Sequence, residues 1–314
     1  MSTQAQEKTK RWNVKAFKWP SIILAALLIG GGTGFTVATT LKPPSYQFIA
    51  DTDAYEPDLQ AAYAKYEAAK GGALETKMTV DEMINVAFMK FGMEEQTWSR
   101  GVGIAKAMGL VDQNIWTTTV ADHGRYFEES ISLSSFVKIY DRMFEEGETI
   151  TTYWGDNPDF GSHPKVEMSR DEYKEAMGRY VSEALVFVVS DKTLLNDESP
   201  ASGRPKTGIA KENGRFVLEA ELSPKLGTIR YKKQMKTISD LASQPSFNYC
   251  HITVTTDEDL NLIRMDTYES YTAVTKMGLG SGVAGSLSTA YYHEPAPFGF
   301  PEPGSTLPDY PESI

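Results

Sequence analysis

Cys250 is the one cysteine in 314 residues. No intramolecular disulfide can form, so the fold must rest on buried apolar surface, which a chain of this length can supply. Histidine is scarce as well. His123, His163, His251 and His293 stand far apart, without the HExxH or related spacing of a metal centre. Positive charge is in deficit, with 31 Lys and Arg against 42 Asp and Glu and a net charge of −11. Nucleic-acid binding needs clustered basic residues, so no nucleic-acid partner is expected, and no metal or other cofactor is expected either.

The basic residues that exist are concentrated at the start. Lys8, Lys10, Arg11, Lys15 and Lys18 face only Glu7, which makes the first nineteen residues +4 and leaves −15 for the rest. Immediately after them, residues 21–41 contain no charge, and a bilayer core takes about 20 apolar residues in a helix. Basic flanks stay in the cytoplasm, and Trp12, Phe17 and Trp19 stand where an aromatic belt would lie. The expectation is a single-pass anchor in the cell membrane, N-terminus cytoplasmic and C-terminal domain extracytoplasmic, with the lipid bilayer as its first partner. A cleaved signal is the alternative, and Val37-Ala38-Thr39-Thr40 offers only a weak cleavage site. Gly30 and Gly34 form a small-xxx-small pattern suited to helix packing within the membrane. The same glycine run lacks the following Lys and the spacing of a phosphate loop.

Beyond the span, Pro43-Pro44 interrupts any helix. Leu59, Ala62, Tyr63 and Tyr66 share one helical stripe. Thr79-Val80-Asp81-Glu82 is a capping box that opens a helix carrying Met83, Ile84, Ala87, Phe88 and Phe91. Residues 98–154 then turn β-rich, although Phe136, Tyr140, Met143 and Phe144 also fit a helix over 135–146. Ser169-Arg170-Asp171-Glu172 is a second capping box. Residues 184–190 read as a buried strand, 196–213 as a polar stretch rich in turn formers, and 216–222 as a strand with one wet face. Tyr231, Met235, Ile238 and Leu241 mark an amphipathic helix, followed by strands over 247–255, 260–272 and 283–292.

The resulting fold class is α+β: one N-terminal transmembrane helix, then an extracytoplasmic domain of antiparallel β-strands with several packing helices. A curved half-barrel or a cystatin-like arrangement would both satisfy this order. The chain divides into a basic cytoplasmic segment (1–19), the span (20–41), a linker (42–57), and the domain (58–293), divisible into subdomains near 155–168. Residues 294–314 hold six prolines, which predicts a disordered tail on which Phe298 and Phe300 could dock, either on the domain or on a partner that reads Pro-rich segments.

Chemistry is thinly marked. Asp257-Glu258-Asp259-Leu260-Asn261 imitates the start of a calcium loop, but Leu262 replaces its glycine and Tyr268 its final glutamate, so a hairpin turn is expected. The glycine cluster at 278–285 lacks the following helix that a dinucleotide would need. Cys250 alternates with Ile252 and Val254, the pattern of a small buried residue. Glu128, Glu129, Asp266 and Glu269 are carboxylates in strand-like segments and could serve a glycoside hydrolase. Tyr268, Glu269 and Tyr271 put aromatic rings beside a polar group and form the candidate ligand-binding cluster. Together these features point to a non-catalytic binding or interaction protein of the cell envelope, engaging a protein or envelope component. A membrane-tethered hydrolase of surface polymer is the alternative, and a structural subunit of a membrane complex the second.

Overall fold

In the computed structural model, the residues described are 79–91, 96–107, 111–133, 138–177, 180–181, 207–222, 246–274 and 281–308. Helix α1 (Val80–Lys90) precedes six strands: β1 (Thr97–Ala107), β2 (Val111–Asp122), β3 (Arg125–Leu133), β4 (Lys138–Glu146), β5 (Thr149–Gly155) and β6 (Lys165–Ser169). Helix α2 (Arg170–Met177) follows, then β7 (Thr207–Glu212), β8 (Arg215–Glu221), β9 (Ser246–Thr256), β10 (Leu262–Val274) and β11 (Ser281–Tyr292). All eleven strands join one antiparallel sheet in the order β6-β5-β4-β3-β2-β1-β11-β10-β9-β8-β7. Chain neighbours pair within β1–β6 and within β7–β11, and β1 pairs with β11 at the centre, from Thr97↔Tyr292 to Lys106↔Val283. Among the described residues the sheet is open, with β6 and β7 as its edges.

This architecture corrects the α+β expectation. One large antiparallel sheet with few helices replaces strands attended by several packing helices. Among the described residues no helix is long and apolar enough to cross a membrane. The expected span at 20–41, with Gly30 and Gly34, lies outside the described residues, as do the helices expected at 58–69 and 231–241 and the strand at 184–190. Of the ambiguous 135–146 segment, residues 138–146 form β4, and their Arg142 and Phe144 pair with Glu129 and Phe127 of β3. β7 occupies part of the stretch read as turns. The Asn213-Gly214 corner, both residues at positive φ, turns it directly into β8, and such a two-residue loop suits a twisted hairpin. The chain leaves the sheet over 156–164 and returns as β6, which pairs with β5 from Thr149↔Ser169 to Tyr153↔Lys165.

Side chains alternate between the two sheet faces, so directly paired residues share a face. One face carries both helices. There α1 lays Met83, Ile84, Ala87 and Phe88 onto Ile209, Phe216, Leu218, Ile252, Val254 and Leu262, with Cys250 at the edge of this cluster. The capping box holds α1's first turn, with the Glu82 carboxylate accepting from the Thr79 amide at 2.8 Å. Lys90 donates to the Asp259 carbonyl at its last turn. At the other end of the same face, Tyr173 of α2 packs with Ala121, Tyr126, Met143 and Ile150. The second capping box is formed too, between Ser169 and Glu172.

The opposite face is covered by residues 294–308 of the Pro-rich segment, where a disordered tail was expected, while residues 309–314 lie outside the described residues. Residues 294–308 lie across β1–β5. Ala296 is buried among Val120, Phe127 and Phe144, while Phe298, Phe300 and Leu307 pack around them. Prolines remove donors, which bars a ladder, but they leave carbonyls free to accept. The sheet supplies the donors from side chains.

Candidate functional site

Three arginines hold this strap. Arg142 is fully buried in β4, and its Nε and Nη2 both contact Glu129 Oε2 at 2.6 Å. Its Nη1 donates to the Pro303 carbonyl at 3.0 Å, and its guanidinium lies 3.7 Å from the Phe160 ring centroid. Arg100 donates through Nη2 to the Pro308 carbonyl at 3.1 Å and stands 5.2 Å from the Phe298 ring. Arg125 covers Phe300 at 4.1 Å and pairs with Asp122. Trp98, stacked on Tyr291 at 4.4 Å, meets Phe298 edge-on at 6.2 Å. The contacts of the three arginines with the strap set a cation over a ring or a charged donor on a carbonyl, the stronger kinds of polar contact.

Local structure sets these groups in place. Tyr140, Arg142 and Phe144 share a face because they alternate along β4, and their partners Ile131, Glu129 and Phe127 lie opposite them on β3. Phe160 comes from a tight turn. Asn157 Oδ1 accepts from the Asp159 amide at 2.9 Å, Asp159 Oδ1 accepts from the Gly161 amide at 3.1 Å, and His163 Nε2 meets the Asn157 carbonyl at 2.8 Å. A Cβ on Gly155 would sit 2.3 Å from the His163 ring, so any larger residue there must displace that ring from its place against Asn157. At the strap's entry, the Gln96 amide is the chief cause that holds the Asp122 carboxyl low, at about 2, with His123 and Arg125 adding to it.

Two grooves flank the second half of the strap. The larger, about 440 Å³, lies between Ile131, Tyr140 and Arg142 of the sheet, Phe160 of the turn, and residues 304–308. The other, about 380 Å³, lies between Phe144, Thr151 and Tyr153 on one side and residues 301–303 on the other.

The sequence-derived candidates do not gather there. Tyr268 and Glu269 are neighbours in β10 and therefore point to opposite faces. Tyr268 meets the buried His251 ring edge-on at 6.0 Å on the strap side of the sheet. Glu269 faces the helix side, where Cys250 Sγ lies 3.8 Å from its Oε1. Burial pushes the Glu269 carboxyl up to about 7, and the thiol contact only partly opposes this. The Tyr271 side chain lies outside the described residues, although its backbone pairs with Ala284 and Phe247 across a register shift. Glu128 and Glu129 are likewise split between faces. Glu128 accepts from the Tyr126 hydroxyl at 3.0 Å, and its charge joins burial in raising the Asp141 carboxyl well above its ordinary value. Asp266 is held by Arg264 at 2.8 Å and Thr289 at 2.6 Å. Asp257 spends its carboxylate on its own turn, accepting from the Asp259 and Asn261 amides. Among the described residues no group of three or more metal-ligating side chains converges.

The arginines of the strap face went unread in the sequence. Their signal was the period-two run Tyr140, Arg142, Phe144, which places an arginine between two rings on one strand face.

No family model matches the chain, and no curated protein does. Among solved structures, a LolA superfamily protein from Nitrosomonas europaea is similar over 69% of this chain and 92% of its own, at 8% identity and a TM-score of 0.21. GphF dehydratase 1 is similar over 82% and 90%, at 6% identity and a TM-score of 0.12. Likenesses this slight carry no argument about what the chain does.

Proposed function

We propose that this chain is a non-catalytic binding protein of the cell envelope, and that its ligand seats in the larger groove beside the strap. One observation supports this reading. The groove's volume of about 440 Å³ comes with convergent Tyr140, Phe160, Ile131 and Leu307 and with Glu129 and Arg142 among its lining. Ligand sites commonly combine about 300–1,000 Å³, apolar walls and a few fixed polar groups. The hydrolytic alternative has less behind it, since Glu128 and Glu129 face apart and Glu129 is neutralised by Arg142.

A photoreactive phenylalanine analogue at Tyr140, introduced into the full chain in its native cells, tests the reading. A discrete adduct at position 140, absent when the analogue replaces the exposed Glu212, is the expected result. The same adduct from both positions, or none from either, would refute a ligand in the groove.

We also place the sheet outside the cytoplasm, on the strength of the basic first nineteen residues and the uncharged stretch after them. Protease added to intact cells should degrade residues 79–308. Their protection would reverse the assignment.

A further inference from the structure

We propose that the strap face is a reader of Pro- and Phe-rich peptide segments that cross it in tight turns, that residues 294–308 occupy it in cis with turns at Ala296–Gly299 and Glu302–Ser305, and that a partner protein presenting such a segment replaces them. The inference rests on the binding role above and names the class of ligand. The cis segment displays the recognition chemistry directly. A segment rich in proline has few amides to give and many carbonyls to accept, and Arg100 and Arg142 meet it on Pro308 and Pro303. Phe298 and Phe300 dock under Arg100 and Arg125, and Ala296 fills a small apolar site between them and β2–β4. Among the described residues, backbone pairing of the strap with the sheet side is at the entry, where the Glu294 amide donates to the Gln96 carbonyl. Rings and side-chain donors lining a groove suit Pro-rich segments, here turned where the Gly299 amide donates to the Ala296 carbonyl and the Ser305 amide to the Glu302 carbonyl.

The cis segment also leaves the face incompletely satisfied. The Trp98 indole N–H is buried and meets no acceptor among the described residues. Grooves of about 440 and 380 Å³ remain on either side of residues 301–308. Gly304 lines the larger, and a Cβ placed on it would enter open space. A better-filling segment therefore gains contacts that the strap forgoes. This favours a foreign partner over a second copy of the chain, whose identical strap would have to displace one tethered at an effective concentration of about millimolar.

The test uses the full-length chain and a fluorescein-labelled peptide of residues 294–308. In the Phe298→Ala/Phe300→Ala chain, with its fold checked by circular dichroism, the cis strap is weakened. The peptide should bind this chain about tenfold or more tighter than wild type. Adding Arg100→Ala should cost about tenfold of that binding, and a peptide carrying Gly304→Leu should bind about threefold tighter. Should the double variant fail to fold, amide exchange at Gly299 and Ser305 of the wild-type strap carries the test. Excess Gly304→Leu peptide should accelerate both, while a peptide lacking Phe298 and Phe300 should not. Equal binding to weakened and wild-type chains, indifference to Arg100→Ala, or unchanged exchange would overturn the proposal. So would a concentration-dependent dimer that the peptide dissolves, which would assign the face to a second copy. Failure of these assays with a discrete adduct still formed at Tyr140 would sink the peptide class and leave the binding role standing.

Discussion

The two faces of this sheet are closed by opposite means. Under α1 the contacts are aliphatic and aromatic, with Met83, Ile84, Ile209, Phe216, Leu218, Ile252 and Val254 nearly inaccessible to solvent. Such burial is non-directional and scales with the area removed from water. Under the strap, apolar side chains share the interface with Arg100, Arg125 and Arg142, which fix carbonyls and rings at set positions. A helix covers its face by shape. The strap is read by donors and rings, and that makes the second face sensitive to the identity of its occupant. The lesson is that one layer of sheet can carry a core on one side and a recognition surface on the other.

The largest expected effect comes from removing the occupant. Truncation after Glu294 bares Val120, Phe127 and Phe144 and takes the Pro303 carbonyl from Arg142. At about 1.5–3 kcal/mol per large apolar side chain returned to water, the loss is on the order of 5 kcal/mol. Chemical denaturation of the two chains measures it. A midpoint that hardly moves would mean that the strap is an ornament and the comparison fails.

Next comes Arg142→Met, which strands Glu129 as a buried charge. Breaking such a pair from one side costs about 3–5 kcal/mol, and adding Glu129→Gln should recover much of it. On the helix face, Leu218→Ala should cost about 3 kcal/mol through lost burial and a residual cavity, with peptide binding at the strap face unchanged. If Leu218→Ala weakened that binding as much as Arg100→Ala does, the two faces would not be separable.

The smallest change has the opposite sign. The Glu269 carboxyl titrates at about 7 in the fold against 4.5 ordinarily, because burial disfavours its charge. The folded state therefore holds its proton more tightly than the unfolded chain. Stability from this group is full below about 4.5, declines as pH rises to about 7, and stays diminished above it. Glu269→Gln should flatten that decline and raise stability at about pH 8 by on the order of 2 kcal/mol. A parallel pH profile for variant and wild type would show that Glu269 is not buried as described.

Local patterns were legible where one face of an element is apolar and its caps are explicit. The capping boxes at Thr79 and Ser169 open α1 and α2, and the alternations in 247–255, 260–272 and 283–292 correspond to β9, β10 and β11. The strap was misread for a physical reason. Counting aliphatic residues across 294–314 captures hydrophobic burial but not the arginines that wait on the sheet, since Arg100, Arg125 and Arg142 are remote in sequence. Tyr268 and Glu269 lie on opposite faces, as adjacent residues of a strand do. β7 was hidden because its short TGIAKE sequence follows a polar stretch, and its strand character comes from pairing with β8.

The central seam has a bearing on how the molecule is made. β1 and β11 are joined there although nearly two hundred residues separate Thr97 from Tyr292, and pairings so distant in sequence form slowly. A ribosome releases β1–β6 long before β11, and releases residues 294–308 later still. Throughout that interval Val120, Phe127 and Phe144 have no cover from their own chain, and uncovered apolar strands invite aggregation. Until residues 294–308 emerge, that surface is open to such association.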